Sequence, residues 1–247
     1  MAIVELSNHL LSRLSPDSRA AVVGVGHFVE LDVGSVLASA GQATEHVHFV
    51  ERGLLSIIVG EDRGTPIEVG VTGPEGLSGG WLALADDASP FTVIVQAAGR
   101  ALRMTRHAFR QSCADDPHFS AIMLGYAQQL TRMVAETCWA NARLTVEGRV
   151  AKWLLRAHER IDADELAITH DTLSRMLGVR RPGVTVALHV LEGEHIIKAR
   201  RGLIRIIDRE KLQAAAQNRD RRAAPGADRI GSGRAERVRV ADLQASV

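Results

Sequence analysis

Arg180 and Arg181 stand side by side before Pro182, in the run Ile168-Thr-His-Asp-Thr-Leu-Ser-Arg-Met-Leu-Gly-Val-Arg-Arg-Pro-Gly-Val-Thr-Val-Ala-Leu-His-Val-Leu-Glu192. A guanidinium is a planar fork of donors that matches a phosphate or the O6/N7 edge of guanine. Thr169, His170, Thr185 and the later Arg201 carry donors suited to phosphate oxygens, contacts that position a protein without reading sequence. A second group is His46-Val-His48-Phe-Val-Glu51. Two imidazoles at i and i+2 share one face of a strand and could begin a metal site, but Glu51 has the opposite parity. Two cysteines, Cys113 and Cys138, are too few for a disulfide framework or for a cluster held by four thiolates. If helices of two copies met at Cys138, its thiol could act as a switch; an inert packed cysteine is the plainer reading.

The element that must hold the arginines reads as helix, turn, helix. Thr169 is a suitable N-cap for a helix over His170–Leu177, and Gly178 supplies the left-handed residue that ends it. Pro182 fits the first turn of a second helix, on which Val184, Leu188 and Leu191 fall on one face. In such a unit the N-terminus of the second helix enters the major groove. Two arginines at that end oppose the helix dipole, which favours an anionic partner over mere solubility. Downstream, Ile196–Ile207 reads as two short strands turning at Arg200-Arg201-Gly202, a basic wing. Upstream, a helix over about Val146 to Arg160 carries Val150, Trp153, Leu154 and Ala157 on one side.

Ahead of these lies a long helical pattern opened by Pro117 and reaching about Leu144. Met123, Ala127, Leu130, Val134 and Thr137, continued by Asn141 and Leu144, recur at alternating steps of four and three. This 3.5 period predicts a coiled-coil seam between two copies. From about Glu30 to Thr105 the chain reads as several short strands of an antiparallel barrel or jelly roll. The expected breaks are Val33-Gly34-Ser35, Ala40-Gly41-Gln42, Arg52-Gly53, Asp62–Pro66, Gly73-Pro74 and Ala98-Gly99. Residues 3–24 form a helical preface, with Ser15-Pro16-Asp17 starting a helix. The expected fold class is therefore α+β. Its parts are a sensor roll over 1–116, a dimerisation helix over 117–144, a winged helix-turn-helix over 145–212 and a disordered tail over 213–247. The short run Val238–Leu243 in that tail could order on a partner.

Net charge is near zero overall but unevenly spread: −4 over residues 1–110 and +6 over 143–222. The basic half suits a phosphate backbone. No apolar run reaches the ~20 residues of a membrane span, and the first residues do not read as a signal peptide. A cytoplasmic protein without a membrane partner is expected.

Roll, long helix and winged helix-turn-helix, in that order, resemble the Crp/Fnr family of bacterial transcriptional regulators over residues 10–212. Asp32-Val-Gly34, Ala40-Gly41-Gln42 and Val50-Glu-Arg-Gly53 look like the glycine turns of its cyclic-nucleotide-binding-like domain. Ile168–Val179 looks like its helix-turn-helix, and Leu191–Ile207 like its wing. The resemblance implies a homodimer that binds an inverted-repeat duplex and has RNA polymerase as a further partner. It places base reading on Arg181, Pro182 and Val186, where Arg181 keeps a guanine-reading fork while Pro182 and Val186 cannot donate to a base. Thr169, His170, Arg180, Thr185 and Arg201 become phosphate contacts.

The effector side departs from the family pattern. Gly73-Pro-Glu75-Gly76 matches the phosphate-binding element loosely, and its partner should fall near Ser89, so Glu75, Gly76 and Ser89 are the pocket candidates. No Arg, Lys or His occurs between Arg63 and Arg100. A buried phosphodiester there would lack a cation. Cyclic AMP is thus not the expected effector, the cysteine count excludes an iron–sulfur cluster, nothing points to haem, and no metal or cofactor is expected. Two other readings compete: a cupin-like metal enzyme using His46 and His48, and an interaction module without DNA binding, which Arg181 and the basic wing disfavour.

Overall fold

The computed structural model describes residues 6–60, 64, 66–84, 87–161, 163 and 165–218. Two short helices open it, α1 (His9–Ser12) and α2 (Pro16–Val25). Ser15 caps α2 by accepting from the Ser18 amide, with Pro16 in the first turn. Asn8 caps α1 and is fully buried. Its Oδ1 accepts from the Leu10 and Leu11 amides, and its Nδ2 donates to the carbonyls of Val50 and Gly76. One side chain thus ties the preface to the sheet.

The sheet consists of β1 (His27–Leu31), β2 (Val36–Ala38), β3 (His46–Val59), β4 (Ile67–Thr72), β5 (Leu77–Ser78) and β6 (Thr92–Thr105). All pairings between these strands are antiparallel. β3 and β6 run side by side from His46↔Thr105 to Ile58↔Thr92 and form the spine. β1 and β2 pair with β6, β4 and β5 with β3. This corrects the expected breaks at Arg52-Gly53 and Ala98-Gly99. Both lie inside 14-residue strands, where register shifts between Val50 and Leu55 mark bulges. Glycine is needed there because the two backbones nearly touch: a Cβ on Gly99 would lie 1.9 Å from the Arg52 carbonyl oxygen. The expected turn at Asp62–Pro66 lies mostly outside the described residues. The roll closes over Phe49, Phe109 and Phe119, whose ring centroids are 5.7–6.4 Å apart.

After the roll come α3 (Arg106–Asp115) and α4 (Pro117–Arg143). Asp116 caps α4 by accepting from the His118 and Phe119 amides. The winged unit follows: α5 (Val146–His158), β7 (Glu165–Ala167), α6 (His170–Leu177), α7 (Arg181–Gly193), β8 (Ile197–Arg200), β9 (Leu203–Ile206) and α8 (Arg209–Ala215). β9 pairs with both β7 and β8, so the wing is three-stranded. β7 was not expected, since three residues carry too little periodicity to stand out. The expected tail boundary at 212 also moves. α8 runs to Ala215, Leu212 is fully buried, and the Thr145 amide donates to the carbonyl of Asn218. The rest of the tail, with Val238–Leu243, lies outside the described residues.

The apolar core of the winged unit does not stop at its own elements. Leu54 of β3 and Val71 of β4 belong to the same buried cluster as Val150, Leu154, Leu173 and Leu188. Among the described residues no helix is long and apolar enough to cross a membrane.

Candidate nucleic-acid interface

Local sequence fixes the reading unit closely. Thr169 Oγ1 accepts from the Thr172 amide at the start of α6. Gly178 ends that helix at φ 59° and ψ 36°, a conformation that glycine adopts without a Cβ penalty. The Val179 amide then closes onto the Ser174 carbonyl, and the chain turns into α7. Val184, Ala187, Leu188 and Leu191 of α7 are buried, which pins one face of the helix inward.

The opposite face carries the candidates. Arg181, Pro182 and Val186 are all exposed, and Val186 is 57 % exposed. Arg180 is the N-cap but makes no side-chain cap hydrogen bond. Arg180 and Arg181 both stand at the N-terminal end of α7, the positive end of its dipole, where an anion is stabilised. His170 Nδ1 lies 3.0 Å from Thr185 Oγ1. This contact links the first turn of α6 to α7, and when the hydroxyl donates, the outer ring nitrogen carries the proton. Thr169 is exposed, but its oxygen already serves the cap and sits 2.9 Å from Thr172 Oγ1. Arg201 is exposed at the wing turn, where Gly202 adopts φ 75°. The structure therefore gathers Thr169, His170, Arg180, Arg181, Pro182, Thr185 and Val186 onto one unit and presents Arg201 at its wing. His189 is also exposed, seven residues after Pro182 on the Val186 side of α7. Its spacing of three residues from Val186 is the sequence signal that puts it on that side of the helix.

The effector candidates are less coherent. Glu75 borders a cleft of about 390 Å³ between roll, α4 and α5, together with Thr72, Tyr126, Arg132, Arg156 and Arg160. Its Oε1 accepts from Arg160 Nε at 2.5 Å, and its Oε2 from the Gly73 amide. Gly76 is packed under Tyr126, where any Cβ would clash with the ring. Ser89 is elsewhere: it is buried and donates to the Phe91 carbonyl. Cations reach the cleft from α4, α5 and the segment after it, outside the roll's own sequence.

His46 and His48 do share a strand face, with ring centroids 6.3 Å apart. Burial holds the His48 imidazole down at about 4, with His46 and Arg103 adding to the effect, so it is neutral at neutral pH. Glu51 points elsewhere: its carboxylate accepts from the Ser7 and Asn8 amides at 2.6 and 3.4 Å. Among the described residues no group of three His, Cys, Asp or Glu is placed to hold a metal ion. The cupin-like alternative fails on this ligand geometry.

The expected dimer seam needs correction. Met123 is fully buried in the roll's own core, and Ala127 and Leu130 are 7 % and 8 % exposed. Val134 is half-buried, and Thr137 Oγ1 accepts from Arg156 of α5 at 2.9 Å. The 3.5 period is real, but it records packing against the same chain. The outward face of α4 has the same period two residues out of phase: Ala121, Leu124, Gln128, Thr131, Ala135, Cys138 and Ala142, all exposed.

Comparison with known proteins agrees with this layout. A model described as a cyclic nucleotide-binding domain matches residues 28–116. One described as a Crp-like helix-turn-helix domain matches residues 148–215. No curated protein matches the chain. Among solved structures, the c-di-GMP-responsive global regulator CLP of Xanthomonas campestris is 16 % identical, with a TM-score of 0.64 over 78 % of this chain and 99 % of its own. FixK2 of Bradyrhizobium japonicum is 16 % identical, with a TM-score of 0.65 over 77 % and 97 %. A CRP/FNR-family transcriptional regulator of Thermus thermophilus is 19 % identical, with a TM-score of 0.65 over 78 % and 100 %. At these identities the likeness is one of fold.

Proposed function

Because the chain belongs to the Crp/Fnr family of DNA-binding transcriptional regulators and is not an enzyme, we propose that it acts as a homodimer on an inverted-repeat duplex and is not gated by cyclic AMP. The observation that carries this reading is the exposed, uncapped start of α7, with Arg180 and Arg181 at a helix N-terminus and Val186 on the same open face. Arg181 reads a guanine, Pro182 excludes donation at the next base, and Val186 offers apolar contact such as a thymine methyl accepts. Arg180, Thr169, His170, Thr185 and Arg201 hold phosphates. The two copies meet along the outward face of α4, from Ala121 to Ala142. RNA polymerase is the further partner that a transcriptional regulator of this kind addresses, and the cytoplasm is where both meet it.

The effector assignment rests on charge. The roll offers no cation between Arg63 and Arg100. Of the cations that line the cleft, Arg160 is paired with Glu75 and Arg156 with Glu136, and Arg132 of α4 stands beside them. A phosphodiester seated on Arg160 or Arg156 would have to break an existing pair first.

Arg181→Ala tests the reading head. It should cost about 1–3 kcal/mol on the specific site and relax discrimination at one base pair. Arg180→Ala should weaken specific and random duplexes alike and reduce the salt dependence of binding. Titrations of both variants on matched and scrambled duplexes separate the roles. An equal loss for Arg181→Ala on both duplexes contradicts direct readout.

A further inference from the structure

Glu68 of β4 sits where roll, α4 and α5 meet, and no assigned function uses it. The residue is 7 % exposed. Its Oε1 accepts from Trp153 Nε1 of α5 at 2.7 Å, a buried hydrogen bond between the roll and the winged unit. Its Oε2 closes no hydrogen bond. A cavity of about 30 Å³ opens beside it, bordered by Asn141 of α4 and by Arg149, Lys152 and Arg156 of α5. That volume admits a single water.

Other contacts make this a docking face. Arg160 pairs with Glu75 on the roll. Ile67, which opens β4, lies where a Cβ on Gly178 would meet it at 2.6 Å, so roll and helix turn touch directly. Leu54 and Val71 complete the apolar core of the winged unit. Arg149 holds the Leu177 carbonyl at the end of α6, which joins this face to the turn before α7. The arrangement leaves Arg181, Pro182 and Val186 exposed. Docking therefore sets the orientation of the reading head rather than covering it.

We propose that the Glu68 carboxyl, buried where it accepts from Trp153, is a proton-dependent latch between the roll and the winged unit: docking tightens on acidification and loosens when ionisation places an uncompensated charge in the closed interface. The groups facing Glu68 are few. Ser56 approaches from β3, Trp153 and Arg156 from α5, and Arg160 from the segment after it; these favour the ionised form, but burial outweighs them and pushes the carboxyl up to about 7. Arg149 and Lys152 border the adjacent cavity, and Arg156 is itself paired with Glu136 of α4 at 3.1 Å. When the units separate, Glu68 returns toward its ordinary value of 4.5. The docked state thus binds the proton more tightly. Docking is strongest below about pH 4.5, weakens as pH rises, and reaches its weakest level above 7. Between pH 5.5 and 7.5 the docking constant should change roughly twentyfold.

The test needs no DNA, so its failure is separate from failure of the DNA-binding reading. In protein carrying Trp81→Phe and Trp139→Phe, Trp153 is the sole tryptophan, and acrylamide quenching reports its exposure. Quenching should rise from pH 5.5 to 7.5 with Glu68 present and stay low and flat in Glu68→Gln, whose amide cannot ionise. Arg160→Gln, which leaves Glu68 in place, should raise quenching at every pH but keep the slope. A flat profile with Glu68 present overturns the latch, as does an unchanged slope in Glu68→Gln. If Glu68→Gln does not fold, loss of the slope in Arg160→Gln overturns it instead, because the proton dependence would then belong to the Glu75–Arg160 pair.

Discussion

Gly99→Ala should cost the protein at least about 3 kcal/mol and lower its thermal midpoint by roughly 6–12 °C. The added Cβ would stand 1.9 Å from the Arg52 carbonyl oxygen, 2.4 Å from its carbon and 2.7 Å from the Gly53 nitrogen. All three are backbone atoms, so no side chain can swing away. The facing Gly53 has φ 103°, and its own Cβ would lie 2.8 Å from the Ala97 carbonyl oxygen. Relief requires β3 and β6 to part at the bend, and every other strand of the roll hangs on one of these two. Gly34→Ala is the matched control. Gly34, like Gly53 and unlike Gly99, has a positive φ, 87°, but a Cβ there meets nothing within 4 Å, so it should cost only the ~1 kcal/mol of a strained dihedral. Thermal melts of the two variants check the difference. A Gly99→Ala protein that melts with Gly34→Ala would deny the close strand approach.

If two copies meet on the outward face of α4 as proposed, Leu124→Glu and Ala135→Glu should each leave the chain monomeric and weaken binding to an inverted repeat by at least about a hundredfold. Both side chains are exposed in the single chain, so neither change opens a cavity in the protomer. In a pair, each would place a carboxylate against its own copy across the two-fold. The hundredfold follows from linkage: two tethered reading heads bind the second half-site at high effective concentration, and separated ones do not. Sedimentation gives the mass, circular dichroism confirms the retained helix, and a duplex titration gives the affinity. Dimers that persist in both variants would move the two-fold away from this face.

The helix-turn-helix was legible because its signals are local. A capping threonine, a left-handed glycine and a proline in the first turn each act within a few residues, and α6 spans the predicted His170–Leu177. The face of α4 was not legible. A 3.5-residue period states that one side of a helix is covered, but Met123 and Leu130 are covered by their own roll. Only the fold tells the two coverings apart. The glycines misled for a related reason. Gly53 and Gly99 looked like turns because glycine also permits close backbone approach within a strand, and their juxtaposition is a long-range property. Glu75 borders the cleft, yet its partner Arg160 comes 85 residues later, beyond the reach of any local pattern. Glu68 gave no signal at all, since an acidic residue among strand valines reads as an outward-facing one.

That two copies of this chain read one duplex through paired α7 helices is tested most directly by selecting bound sites from a random duplex pool. The full chain is used, with and without cyclic AMP. The expected product is an inverted repeat whose half-sites lie about one helical turn apart, the same in both arms, and degenerate at one base pair of each half-site after Arg181→Ala. Enrichment of a single unrepeated site, or none in either arm, would contradict it, and enrichment only with the nucleotide would contradict the effector assignment.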